Sequence, residues 1–221
     1  MESSVNRSPY EIILDKIINC EYAPGRMLTE EQLVELTGVS RTPVREAVQK
    51  LQENRLVKIL PKKGIKVLEI NDETIREIYE VRKAIEPFII RTHASSIDPE
   101  KLRNCYDRIV GREEITSDFG EDFKADDDLH SMILRSSGNE YIITLCDQMF
   151  MHSHRMRVFV GLTDEQRVPR TRLEHAAILE KLIEKDYEEA ANLMLAHLNS
   201  SEEGTYKALR KREEVIARYV L

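Results

Sequence analysis

Nine residues, Gly38 to Glu46 (GVSRTPVRE), restrict what this chain can fold into more than any other stretch. Gly38 can end one helix and allow a tight turn, and Ser40 can open the next by accepting hydrogen bonds from its first backbone N–H groups. Pro43 is tolerated in the first turn, where its missing N–H has no intrahelical partner. Arg41, Thr42 and Arg45 crowd the N-terminal turns, although cations are disfavoured at the positive end of a helix. That placement suits a helix that presents its first turns to DNA base edges and its N–H groups to phosphates better than it suits a plain surface helix. Val44, Val48 and Leu51 keep an apolar i, i+4, i+7 spacing, so the opposite face packs on a domain.

The flanks supply that domain. After a loose arm at residues 1–7, Ser8 and Pro9 open a helix to about Cys20 with Ile12, Ile13 and Ile17 on its apolar face. Tyr22-Ala23-Pro24-Gly25 is a turn by composition, and Thr29 to Glu31 cap a second helix carrying Leu33, Val34 and Leu36. Past about Asn54, the β-type runs Val57–Leu60 and Ile65–Ile70 flank Pro61-Lys62-Lys63-Gly64, a basic hairpin. Beside a helix-turn-helix this reads as a wing, with Lys62, Lys63 and the Gly64 backbone placed to reach phosphate or the minor groove.

The formal net charge of -7 would not by itself suggest nucleic acid, but the charge is unevenly spread. Gly38 to Lys66 holds 8 basic against 2 acidic residues, while residues beyond 70 hold 22 against 30. A local basic stripe on an acidic chain is an electrostatic footprint. Cys20, Cys105 and Cys146 are too few and too scattered for a disulfide framework or a cysteine zinc site. With no leader-like segment and no apolar run long enough to span a bilayer, the expected compartment is the cytoplasm and no membrane partner is expected.

From Asn71 the chain reads as an all-helical second domain, residues 71–221, after a winged domain over 1–70. A long helix from Asn71-Asp72 to about Ala94, kinked near Pro87, sets Ile75, Ile78, Tyr79, Arg82, Glu86, Ile89 and His93 on one stripe. A charge at Arg82 on that stripe needs a partner, either Glu86 at i+4 or an anionic ligand. Further helices are expected from Asp98 to about Glu114, Glu121 to Ser136, Tyr141 to Val158, Arg170 to Lys185, Asp186 to Asn199 and Glu202 to Val220. Short connections between amphipathic helices make the fold mainly α, an antiparallel bundle behind a winged helix-turn-helix. Asp126 and His130 lie at i, i+4 on one face, and His175 and His197 sit on the inward stripes of two further helices. Inward His and Asp side chains from several helices are how bundles build metal sites. His152, also inward, is a candidate for the wall of such a pocket.

PGRMLTEEQLVELTGVSRTPVREAVQKL followed by LVKILPKKG resembles the winged helix-turn-helix domain of the GntR family of bacterial transcription regulators. The resemblance implies Arg41, Thr42, Arg45 and Gly64 as DNA-contacting positions, with Lys63 where the family often has a basic wing residue; Ser40 at the head of the helix and Lys62 in the wing complete the expected DNA-binding set. One departure is Arg55, where the family commonly has Gly before Leu-Val; Asn54 is expected to take over its left-handed geometry. Over about residues 72–215, the pieces EVRKAIE, D-x3-H, SGN and EHAAILEKLIEKDYEEAANLMLAHL resemble the FCD effector domain of the FadR subfamily. This implies Asp126, His130, His175 and His197 as ligands of a divalent metal, Zn or Ni, with open positions for a small carboxylate effector and Arg82 as a carboxylate contact. The function implied is a homodimeric, ligand-responsive regulator, a repressor, that reads a palindromic double-stranded DNA operator. Alternatives are a DNA-binding regulator whose metal is purely structural, and a metal-dependent hydrolase. The last is disfavoured because no separate general base is evident by spacing and a DNA-reading domain would go unexplained.

Overall fold

The computed structural model describes residues 7–111, 120–164 and 167–220. The chain divides into two compact units between Ile70 and Asn71.

In the first unit, α1 (Pro9–Ile18) is opened by a capping box in which Ser8 and Glu11 satisfy each other's backbone N–H groups. The same device, Thr29 with Gln32, opens α2 (Glu30–Thr37), and Gly38 ends it with φ 69°. The next helix, α3 (Arg41–Glu53), departs from expectation at both ends. Ser40 has the extended backbone of a cap, but its exposed hydroxyl makes no capping hydrogen bond. The first N–H groups of α3 are therefore left to solvent or to an anion. At the other end Asn54 keeps φ -79°, and Arg55 itself takes the left-handed position with φ 56°. Arg55 N–H bonds to Gln52 O at 2.9 Å and Leu56 N–H to Leu51 O at 3.0 Å, a Schellman closure built without glycine.

Three short strands complete this unit: β1 (Met27–Leu28), β2 (Val57–Leu60) and β3 (Gly64–Val67), antiparallel in the order β1-β3-β2. The hairpin pairs Leu60 with Gly64 and Val57 with Val67, and β1 adds a strand that two residues cannot announce by periodicity. Ile13, Ile17, Leu33, Val44, Leu51, Leu56 and Val67 form the core at 1% exposure or less. Gly64 has φ 110°, and a Cβ there would lie 2.6 Å from the Leu28 carbonyl oxygen. Gly64→Ala is therefore expected to destabilise this unit by about 1–3 kcal/mol. The readout is a lower urea midpoint at unchanged slope; an unchanged midpoint would mean that β1 moves aside at no cost.

The second unit is helical: α4 (Asp72–His93), α5 (Pro99–Val110), α6 (Gly120–Arg135), α7 (Glu140–Gly161), α8 (Arg167–Ile183) and α9 (Tyr187–Val220). α9 packs along α4 and α8, α8 against α5, and α6 against α7. α4 runs through Pro87 as one helix. α5 ends at Val110, and the remainder of its expected extent falls at residues 112–119, outside the described residues. α8 begins three residues before the expected Arg170 and takes Pro169 into its first turn, where proline removes no intrahelical bond.

The break expected between Asn199 and Glu202 is absent, and α9 continues through it. Asn199, Ser200 and Ser201 have the composition of a connection, but tertiary partners occupy their side chains. Lys83 donates to Asn199 Oδ1 at 3.2 Å and to Glu202 at 2.7 Å, Ser200 donates to Glu174 at 3.1 Å, and Ser201 accepts from Arg167 at 2.9 Å. Among the described residues no helix is long and apolar enough to cross a membrane.

Candidate functional site

Two sets of polar residues have to be accounted for, one in each unit. In the first unit α3 buries Val44, Ala47, Val48 and Leu51 and turns Arg41, Thr42 and Arg45 outward. Lys62 and Lys63 are exposed in the β2–β3 turn, with Gly64 at the start of β3. The arginines are engaged on the surface: Arg41 Nη2 lies 3.1 Å from Glu31 Oε1, and Arg45 Nε lies 2.9 Å from Glu30 Oε1.

In the second unit α6, α8 and α9 bring Asp126, His130, His175 and His197 to one buried point, each at 4% exposure or less. One ring nitrogen from each of the three histidines lies within 4.8 Å of the others. His175 Nε2 is 3.2 Å from His197 Nε2 and 3.6 Å from Asp126 Oδ2, and His130 Nε2 is 3.6 Å from Asp126 Oδ1. Four ligands held about 2.1 Å from a tetrahedral ion would stand about 3.4 Å apart, so these separations fit a metal.

The tautomers fit as well. Glu86 accepts from His130 Nδ1 at 2.6 Å, and Glu174 accepts from His197 Nδ1 at 2.8 Å. With the proton held at Nδ1 by a carboxylate, each Nε2 turns a lone pair to the centre, the usual support of a metal-binding imidazole. His130 Nε2 and Asp126 Oδ1 are buried and make no hydrogen bond among the described residues. Burial pushes His175 and His197 below the ordinary histidine range, which favours the neutral ring. Burial works the other way on Asp126, but the adjacent Arg157 guanidinium leads the influences that outweigh it and keep the carboxyl ionised. Neutral imidazoles and an ionised carboxylate are the forms that bind metal.

A cavity of about 50 Å³ borders this point, with Asp126 and His175 in its wall. A water needs about 10–15 Å³ by that measure, so there is room for a small molecule. Three arginines line it. Arg167 forks onto Glu174 at 3.1 and 3.0 Å, and Arg172 onto Asp122 at 2.7 and 3.0 Å. Arg157 lies against Asp126 at 2.9 Å and against Asp127, while its buried Nη1 has no hydrogen-bond partner among the described residues.

These arginines have no signature in the sequence, since Arg157 and Arg172 meet carboxylates on α6, and Arg167 meets Ser201 on α9 as well as Glu174 seven positions along its own helix. Glu174 could have drawn notice as the residue beside His175. Two expected ligand contacts lie elsewhere. Arg82 does not line the cavity; it is buried behind the centre with Nε 2.6 Å from Glu86 Oε1, because a charge on an apolar stripe takes the nearest carboxylate. His152 is buried on α7 but neither joins the histidine cluster nor lines the cavity.

Comparison with known proteins agrees with this organisation. The profile of the bacterial regulatory proteins of the gntR family matches residues 7–67, and that of the FCD domain matches residues 77–200. The HTH-type transcriptional repressor RspR of Escherichia coli (strain K12) is 35% identical over 137 residues, 58% of each chain. A putative transcriptional regulator GntR from Rhodococcus sp. RHA1 has a similar fold, with a TM-score of 0.76 at 24% identity over 90% of this chain and 96% of that one. The Zn2+-bound FCD domain of TM0439, a putative transcriptional regulator, has a TM-score of 0.54 at 28% identity over 63% of this chain and 96% of that one. These relatives are transcription regulators, not enzymes. The chain belongs with them, as a DNA-binding transcription regulator of the GntR family with an FCD domain.

Proposed function

We propose that this regulator is a cytoplasmic homodimeric repressor whose helical unit (residues 71–221) holds a divalent metal, Zn or Ni, and responds to a small organic acid. The observation that carries the reading is the four-donor cluster of Asp126, His130, His175 and His197, backed by Glu86 and Glu174 and opening onto an arginine-lined cavity. Three imidazoles and one carboxylate suit Zn or Ni. The metal, when bound, supplies a Lewis-acidic position for an anionic oxygen. The chain's own residues do the rest. Arg157 offers a carboxylate its Nη1, which has no hydrogen-bond partner among the described residues, while Arg167 and Arg172, each held by its own carboxylate, shape the cavity wall. RspR is a transcriptional repressor by name, which supports the sign of regulation, and the Zn2+ of the TM0439 domain supports the metal.

In the first unit (residues 1–70) Arg41, Thr42 and Arg45 read base edges, while the Ser40 end of α3, Lys62, Lys63 and the Gly64 backbone hold phosphates. Two copies on a twofold axis read a palindrome. The acid modulates DNA binding only if it binds one arrangement of the dimer more tightly than another.

The test selects a binding site from a random duplex library. Site affinity is then titrated with a panel of small carboxylates, for metal-loaded and chelator-treated protein. An effector is expected to change affinity by about 5- to 150-fold, and only in the metal-loaded state. If no acid moves the affinity of metal-loaded protein, the metal is structural and the sensor reading is lost.

A further inference from the structure

The two carboxylates that touch α3 do so unequally. Arg45 gives Nε to both oxygens of Glu30, at 2.9 and 3.0 Å, and its terminal nitrogens make no hydrogen bond among the described residues. Arg41 touches Glu31 only through a terminal nitrogen at 3.1 Å, with both side chains about two-thirds exposed (63% and 67%). Glu30 is better seated, with its side chain 32% exposed against 67% for Glu31, although both lie in the first turn of α2 and benefit from the helix dipole. The Arg45 bond holds the Glu30 carboxyl below its ordinary range, and the same bond raises Arg45.

An arginine that discriminates guanine uses a fork of two nitrogens against O6 and N7. Arg41 spends a terminal nitrogen on its carboxylate, whereas Arg45 spends only the inner one. Glu30 thus fixes the plane of the Arg45 guanidinium and leaves its outer edge to the groove. Its negative charge also opposes phosphates on any duplex, and the guanine contact that it orients is what offsets this cost on the right sequence.

We propose that Glu30 sets DNA specificity, by holding Arg45 with its terminal nitrogens outward for one guanine and by weakening the hold on DNA that lacks that guanine. This rests on Arg45 reading a base, as argued above. The pair Glu31–Arg41 lacks the geometry and serves as the control.

The test uses full-length protein and two duplexes, the site selected by the wild-type chain and a random-sequence duplex of equal length. Affinities are measured over a salt series for the wild type, Glu30→Gln, Glu31→Gln and Arg45→Ala, each confirmed folded by circular dichroism. Base-pair substitutions through the selected site give each protein a discrimination profile. Glu30→Gln is expected to weaken the selected site by about tenfold, to tighten the random duplex severalfold, and to flatten the profile at the base pair that Arg45→Ala also flattens. Glu31→Gln is expected to tighten both duplexes alike. If Glu30→Gln also tightens both duplexes alike, with the profile intact, Glu30 acts by repulsion alone and the proposal is overturned. If Arg45→Ala flattens no base pair, the reading of Arg45 itself fails, which is a separate result from any obtained with Glu30→Gln.

Discussion

Protein purified without chelator is expected to carry close to one divalent metal ion per chain, and the double variant His175→Ala, His197→Ala almost none. The size of the effect follows from the donor set. Removing two of four ligands leaves Asp126 and His130, too few to hold Zn or Ni against water and buffer. Stability should move with metal content, because an ion that binds only the folded chain stabilises it by RT ln(1 + [M]/Kd). At 100 to 1,000 times Kd that amounts to about 2.7–4.1 kcal/mol. For a chain of this size the gain corresponds to a rise in Tm of about 5–16 °C. Chelation should lower the wild-type Tm by that amount and leave the double variant's unchanged. Elemental analysis of both proteins, with thermal melts before and after chelation, checks the pair of statements. Failure of the wild type to take up metal even after supplementation would leave the inward histidines as structural groups only.

Parts of this site were legible because they are local. Asp126 and His130 are one turn apart, so helical period alone places both on one face, and His175 and His197 share stripes with residues that are buried, Ile178, Leu179 and Leu182 in one helix and Ala190 and Met194 in the other. The winged unit was legible for the same reason, since capping residues, Gly38 and the paired β-runs each act within a few positions. What stayed hidden is non-local. Glu86 could be read as a partner for Arg82 at i+4, but not as the acceptor for His130, 44 positions away. Arg167 and Arg172 read as surface charges until α8 is set beside α9 and α6. The Glu30–Arg45 pair spans 15 positions and two helices. Arg55 shows a different limit: backbone hydrogen bonds at the end of α3 force the left-handed geometry on whichever residue stands there, and here it is not the one with the better intrinsic tolerance. Composition misled at Asn199 to Ser201, where polarity reflects partners on α4 and α8 and not a turn.

Arg82→Ala is expected to destabilise the helical unit by about 3–5 kcal/mol, a larger loss than deleting an exposed ion pair could produce. Arg82 and Glu86 are 1% and 0% exposed, and the truncation would leave Glu86 in the core with His130 as its remaining hydrogen-bond partner among the described residues. Burial alone would raise the Glu86 carboxyl; Arg82 first, then His130, outweigh it and bring it to about 2. The comparison that isolates the pair is the double variant Arg82→Met, Glu86→Leu, which removes both charges and keeps apolar volume. It should be clearly more stable than Arg82→Ala, because the cost lies in the uncompensated charge and not in the lost contact. Stability and metal affinity should then part company. The double variant takes the acceptor from His130 Nδ1, and loss of such a carboxylate lowers metal affinity by about 10- to 100-fold, whereas Arg82→Ala leaves that acceptor in place. Urea melts and competition with a chromophoric chelator read the two quantities separately. Equal destabilisation of the single and double variants would show that Arg82 and Glu86 are not energetically coupled. Unchanged metal affinity in the double variant would show that His130 does not depend on Glu86 for its tautomer, and the inner carboxylate would then be a packing feature of α4 alone.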